Sequence, residues 1–521
     1  MPDVSSVCDK ITEILSYDPL HPILFSSGLF LFLFAGLNQK IDIYERVMIQ
    51  GELGTGIFVN AASVIMRLGV ATTILVGADL ILSGQIDFML LFLFLLVGMS
   101  VSDYVIGRFL CAARKQSLRK WLVALSLTID IGVLCYFKYT NFFIGLLNDV
   151  SGSDWLDFQN IFLPVGISFF TFQSISYIID LYKRRIDPAD QWIDYLFYLS
   201  FFPQLVAGPI VKARDFMPQI RQKPIVVTRE MFGMGIFLII SGLFKKAIIS
   251  DYISLNFVDR IFDNPLLYSG FENLMGVYGY ALQIYCDFSG YSDMAIGLAL
   301  LLGFRFPKNF DSPYKSATIT EFWRRWHISL SSWLKDYLYI SLGGNRKGKA
   351  RTYLNLFLTM LIGGLWHGAA IRFVLWGAWH GAALAVHKWT VNRFPSFKKT
   401  GADMVPWRRV IGIIVTFHVV CFGWIMFRAQ DMHSVTLITS QIFNHFNAAL
   451  IPQVVSGYGT IFGLMAVGFL LHLLPEAAET WGKRVVTAAP VLAQAVIITV
   501  LIWGIMQIKS SEIQPFIYFQ F

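Results

Sequence analysis

Apolar stretches of membrane-spanning length recur along this chain, and they constrain it more than any other feature. A hydrocarbon core about 30 Å thick is crossed by roughly 20 helical residues. Runs that meet or approach that length lie at 22–38, 56–83, 88–107, 121–147, 161–181, 232–250, 272–302, 353–371, 373–390, 408–427, 457–474 and 487–507. Inside lipid every backbone N–H and C=O must be satisfied within the structure, so only helices or closed barrels cross. The alternating pattern of barrel strands, about ten residues at a time, is absent from the sequence. The chain therefore reads as all-α, a polytopic membrane protein with about 10–13 transmembrane or re-entrant helices. Composition agrees, with 55% hydrophobic and 15% charged residues where a soluble domain carries about a quarter charged.

The net charge of +8 sits in short loops between the apolar runs, so it marks cytoplasmic faces and predicts no nucleic-acid partner. Arg108, Arg114, Lys115, Arg119 and Lys120 form one such loop, and Lys183, Arg184 and Arg185 form the next. Between them DVSGSDWLDFQN at 149–160 carries three Asp and no cation, which suits an outer turn. Residues 1–20 lack a basic start followed by an apolar core, so the first apolar run is expected to be a retained helix rather than a cleaved signal. Cys8, Cys111, Cys135, Cys286 and Cys421 are scattered without paired spacing, and neither a disulfide framework nor a metal site is expected.

Two segments depart from the simple pattern. YLFYLSFFPQLVAGPI at 195–210 is apolar but short, is broken by Pro203, Gly208 and Pro209, and has basic residues on both sides. That combination predicts a re-entrant segment, which must line a watery cavity or be covered by protein. A central tunnel is therefore expected. The second, at 303–352, is dense in basic residues. Within it TITEFWRRWHISLSSWLKDYLYISL reads as one amphipathic helix, opened by Thr318 and Glu321 at capping-box spacing. Arg324, His327, Ser331 and Lys335 recur at helical intervals and predict one polar face. Either the helix lies on the inner leaflet with its cations among the headgroups, or the stripe borders the tunnel mouth, where Arg324, Arg325 and Lys335 attract an anionic substrate.

His367 stands inside the apolar run MLIGGLWHGAA. From the cytoplasmic end of its hairpin it lies on the order of 20 Å into the membrane. A helix–helix hydrogen bond would account for it; metal ligation has no supporting spacing; proton transfer near neutral pH is the third reading. Asp287 and Asp293 add intramembrane carboxylates, either as polar lining or as partners of the doublet Lys245 and Lys246. Residue chemistry alone leaves two classes open: an acyl- or proton-transfer enzyme built on His367, and a proton-coupled transporter using the same histidine. A transporter more often repeats its broken helix in both halves, and only one interrupted segment is found.

The runs LPVGISFFTFQSISYIIDLYKR (163–184), FFPQLVAGPI (201–210), DFSGYSDMAIGLALLLGFRFPKNFDSPY (287–314), TEFWRRWHISLSSWLKDYLYISLGGNR (320–346) and NLFLTMLIGGLWHGA (355–369) resemble the membrane-bound O-acyltransferase superfamily. The likeness is greatest to its bacterial alginate O-acetyltransferase branch, and the terminal PFIYFQF (515–521) is similar to that branch's ending. The resemblance implies a divergent segment over 1–85, a catalytic core over 86–430 and C-terminal membrane helices over 431–521. It implies His367 in Trp-His-Gly as the catalytic residue and His327 in Arg-Trp-His-x-Ser as a second functional histidine. Arg324, Arg325, Lys335, Trp326, Asp287 and Asp293 are the candidate substrate- or donor-binding residues. No bound cofactor or metal is implied; the donor is a cytoplasmic thioester, acetyl-CoA. The implied partner is an extracytoplasmic SGNH-hydrolase-like acetyltransferase that decorates a polysaccharide, with alginate, peptidoglycan and cellulose as candidate acceptors. The implied location is the bacterial inner membrane.

Overall fold

A computed structural model describes residues 86–161, 163–164, 166–205, 208–222, 224–394 and 404–508, and every regular element in it is helical. The apolar runs expected at 22–38 and 56–83 and the terminal 515–521 lie outside the described residues. Four described helices are long and apolar enough to cross a membrane, or up to six if two sharply bent pairs each count as one span. These match the runs at 88–107, 121–147, 232–250 and 408–427, with the bent pairs over 457–474 and 487–507.

Three helices open the fold: α1 (Ile86–Ala112), α2 (Gln116–Ser151) and α3 (Ile167–Tyr182). Buried residues lie on nearly every side of α3, most of them apolar, so it is enclosed by its neighbours. Arg119, expected in a loop, instead reaches back from α2 to the Leu110 carbonyl at 2.5 Å and the Tyr182 carbonyl at 2.8 Å, tying three helix ends together. The expected broken segment is present. Helix α4 (Trp192–Ser200) stops at Phe201, Phe202–Leu205 makes a single turn, and extended chain leads into α5 (Ala213–Ile220).

A longer pair follows. Helix α6 starts at Arg229 and runs to Asp263, with π-helical turns at Phe244–Ser250 and Ser254–Val258. Helix α7 (Gly270–Leu301) begins with a capping box between Ser269 and Glu272. The two approach until backbone meets backbone: a Cβ on Gly242 would lie 2.5 Å from the Gly290 carbonyl. Only glycine permits that spacing.

The helix expected over 318–342 is not continuous. Helix α8 (Ile319–Arg325) ends at Trp326, His327 turns the chain with φ 44°, and α9 (Ile328–Trp333) restarts and passes into a π turn at Leu334–Tyr339. The capping expectation holds at its start, where the Glu321 amide donates to the Thr318 hydroxyl at 3.1 Å; the Glu321 carboxylate reaches one residue further back, to the Ala317 amide. Helices α10 (Lys349–His367) and α11 (Ile371–Arg393) then form a hairpin. It closes through Gly364, whose Cβ would sit 2.9 Å from the Gly377 Cα. Helix α12 (Pro406–Arg428) packs on the hairpin, followed by α13 (Met432–Asn444), α14 and α15 (Ile451–Gly457 and Gly459–Leu473) and α16 and α17 (Glu476–Ala488 and Val491–Ile508).

Candidate active site

His367 is the last residue of α10. The chain can turn there because residue 368 is glycine: a Cβ at that position would overlap the Phe373 ring, 2.0 Å from its Cε2. The imidazole is 6% exposed and lies among the rings of Trp366, Trp376 and Phe427, with centroids 5.0, 5.0 and 5.3 Å away. A central tunnel is expected from the sequence; among the described residues, aromatic packing walls this ring. Trp366 in turn stacks on Phe172 of α3 at 4.9 Å.

A cavity of about 180 Å³ lies beside the end of α10, lined by Phe137, Lys138, Asn141, Ile161, Leu163 and Ala369. Lys138 comes from the middle of α2. Its ammonium donates to the Trp366 carbonyl at 2.5 Å and the His367 carbonyl at 3.2 Å. The Tyr139 hydroxyl donates to the Leu365 carbonyl at 2.9 Å.

His327 is 1% exposed and one of three non-glycine residues with positive φ among those described. Its conformation is set by Asn309, which lies outside any helix. The Asn309 backbone carbonyl accepts from the Ile328 amide at 2.8 Å. The Ser329 backbone N–H can only donate, so the side-chain atom facing it at 3.2 Å is the Asn309 oxygen, which also accepts from the Ser329 hydroxyl at 2.8 Å. His327 Nδ1 lies 3.2 Å from that same oxygen and must carry the proton. In the neutral ring Nε2 then holds the lone pair, and it is buried with no hydrogen-bond partner among the described residues. The histidine is thus held as a neutral acceptor pointing into the interior.

His327, Lys138 and His380 all lie close to His367. His380, on α11, is fully buried between Trp376 at 4.9 Å and Trp323 at 5.2 Å, and neither of its ring nitrogens has a partner among the described residues. The structure therefore gathers three imidazoles and an ammonium around the end of α10.

The other sequence candidates distribute differently. Arg324 and Lys335 are exposed. The break at His327 separates them into two short helices, so the single polar stripe is lost. Arg325 is engaged by Glu321 at 3.1 Å and Asp311 at 3.2 Å. Trp326 is buried, between Trp424 at 4.9 Å and Phe310 at 5.1 Å, and belongs to the core. Asp293 pairs with Lys245 at 2.5 Å, and Asp287 pairs with Lys246. Of the two readings of these acids, the ion pair across α6 and α7 is the one seen.

Asn309 and Lys138 escaped the sequence reading for different reasons. Asn309 sits in FPKNFDSPY with no periodic signal, because its role is made by partners elsewhere in the chain. Lys138 had a signal, a lone cation in the apolar run 121–147, and intramembrane charges of that kind are functional by default.

The model of the membrane-bound O-acyltransferase family matches residues 190–426. Over 463 residues the chain is 36% identical to the probable alginate O-acetylase AlgI of Pseudomonas putida, an alignment spanning 84% of this chain and 91% of that protein. The chain belongs to the membrane-bound O-acyltransferase family. This O-acyltransferase is also 40% identical over 418 residues to the probable alginate O-acetylase AlgI of Pseudomonas aeruginosa, covering 79% of this chain and 73% of the relative. It is 36% identical over 365 residues to the peptidoglycan O-acetyltransferase of Helicobacter pylori, covering 65% and 68%. The matched region holds both His327 and His367, whereas Lys138 lies before it. The long apolar helices make the O-acyltransferase a multi-pass membrane protein.

Proposed function

We propose that this O-acyltransferase moves an acetyl group from cytoplasmic acetyl-CoA through the bacterial inner membrane for O-acetylation of an extracytoplasmic polysaccharide such as alginate. An extracytoplasmic SGNH-hydrolase-like partner receives the group and places it on the polymer. The donor is made inside and the acceptor lies outside, so only a small acyl group has to cross.

In this reading His367 accepts the proton of an acceptor hydroxyl. The freed oxygen forms a C–O bond at the thioester carbonyl, the C–S bond breaks, and the thiolate recovers the proton from the imidazolium. The products are an ester and a free thiol. His327 orients or polarises groups near the donor through its Nε2. Exposed Arg324 and Lys335 steer the donor's phosphates, with Arg325 partly neutralised by its acidic neighbours. A placed acid–base group contributes about 10²- to 10⁴-fold, and a water-poor site strengthens each polar contact.

The observation that carries this reading is the burial of His367 at a helix end close to His327, whose tautomer is fixed. Replacing His367 with Ala tests it. Acetyl esters on the exported polymer are expected to disappear while the protein's abundance in the membrane stays normal. Persistent acetylation would overturn the assignment. Comparing alginate and peptidoglycan from the deletion strain identifies the acceptor, since only the true one loses its esters; the Helicobacter pylori relative makes peptidoglycan the second candidate.

A further inference from the structure

A helix that ends at its functional residue leaves its final carbonyls without intrahelical partners. In α10 these carbonyls belong to the turn that carries His367, and they are taken up by two consecutive residues of α2. Tyr139 serves Leu365 at 2.9 Å, and Lys138 serves Trp366 at 2.5 Å and His367 at 3.2 Å. The third proton of the ammonium faces the Ser168 hydroxyl at 3.4 Å. All three acceptors are neutral, and no carboxylate pairs with Lys138 among the described residues. Lys138 lies within an apolar helix, where an unpaired cation is costly and is kept for function by default. What compensates it is the negative end of the α10 dipole, which is concentrated in the last turn.

Docking two helices does not require a charge, since a tyrosine does so one residue later. The charge matters because it fixes the backbone oxygen of His367 itself. Trp366 is held at the same time, by its stacking on Phe172 and by its indole N–H, 3.4 Å from the Ser168 carbonyl. We propose that Lys138 is a positioning residue: it clamps the last turn of α10 so that the His367 ring is presented in reactive geometry. The inference rests on His367 being the catalytic base. Lys138 itself touches no reacting atom.

The test measures acetyl transfer from acetyl-CoA in membrane vesicles, per unit of folded protein. Lys138→Met is expected to lower kcat by about 10²-fold, the effect of roughly 1 Å of misplacement at a reacting centre, with KM for acetyl-CoA within about twofold of the parent. Lys138→Arg, which keeps the charge and can still reach the carbonyls, is expected to recover most of the rate. Tyr139→Phe is expected to produce a smaller loss in the same direction, and it decides the matter if Lys138→Met fails to accumulate. A scaffold role alone predicts less folded protein with unchanged kcat per molecule, and that result would overturn the proposal. Unchanged kcat in Tyr139→Phe would do so if Lys138→Met cannot be made. An inactive His367→Ala alongside a fully active Lys138→Met removes this inference only. An active His367→Ala removes the reading beneath it.

Discussion

Asn309→Ala is the substitution that should most disturb this site without touching either catalytic candidate. The Asn309 side-chain oxygen accepts three hydrogen bonds, from the Ser329 amide, the Ser329 hydroxyl and His327 Nδ1, and its amide donates to the Ser292 hydroxyl at 3.0 Å. The two hydroxyls can rotate to new partners. The backbone N–H of Ser329 cannot, and the Nδ1–H of His327 is left with only the Ser329 hydroxyl at 3.4 Å; both donors are buried. At about 1–3 kcal/mol for each orphaned donor, the loss is about 1–6 kcal/mol, before any cavity contribution. Ser292→Ala removes one hydrogen bond of the same network and should cost about 1 kcal/mol. Activity should fall further than stability. With Oδ1 gone, only the Ser329 hydroxyl, 3.4 Å away, faces Nδ1; a hydroxyl can donate as well as accept, so the Nδ1–H tautomer that leaves a lone pair at Nε2 is no longer enforced. The expected loss is within the 10²- to 10⁴-fold range of a placed acid–base group. Thermal unfolding in detergent gives the first quantity, and acetyl transfer per folded molecule gives the second. If Asn309→Ala unfolds together with Ser292→Ala and turns over at the parental rate, the tautomer argument is wrong.

Three further predictions each rest on local contacts. Gly377→Val forces a side chain against the Met360 carbonyl, which a Cβ would approach to 2.4 Å. It should cost at least 1–3 kcal/mol by overpacking, on the order of a strained core, with a lowered unfolding temperature. Lys245→Met should destabilise the fold more than the double change Lys245→Met with Asp293→Asn, because the single change leaves a partly buried carboxylate unpaired at the α6–α7 seam; paired thermal melts read the difference. For pH, burial alone would raise the Asp336 carboxyl, but the Lys212 ammonium at 2.9 Å and the Arg214 guanidinium at 2.8 Å outweigh it and hold the carboxyl below the usual carboxylate range. Its stabilising contribution is therefore complete above the unfolded value of about 3.9 and is lost as pH falls through the lower folded value. Acid titration of stability should be shallower in Asp336→Asn than in the parent below about pH 4, and the two should run parallel above it.

The parts of this fold legible in sequence were those set by solvent or by local chemistry. Hydropathy located α1, α2, α6 and α12 because lipid imposes length on any crossing helix. The Thr318 cap was legible because capping is a contact within one turn. The pairing of Lys245 and Lys246 with Asp293 and Asp287 was one of two readings, favoured in the fold because opposite charges in two apolar segments cost most when left apart. His327 shows the other side. A helix with one residue flipped to positive φ keeps the spacing of Arg324, Ser331 and Lys335, so periodicity could not reveal the break. The cause is Asn309, which offers the Ile328 and Ser329 amides a better partner than the preceding turn. Likewise two of the three partners of Lys138 are backbone carbonyls, which have no sequence signature at all.

The two glycine seams have a mechanical consequence. Where main chain rests directly on main chain, as between α6 and α7 and between α10 and α11, there are no rotamers to rearrange. Each pair should behave as a plank, stiff against bending apart. Admission to His367 then depends on its outer neighbours: Phe427 on α12 and the Phe172–Trp366 stack with α3, where side chains can swing while the planks stay fixed.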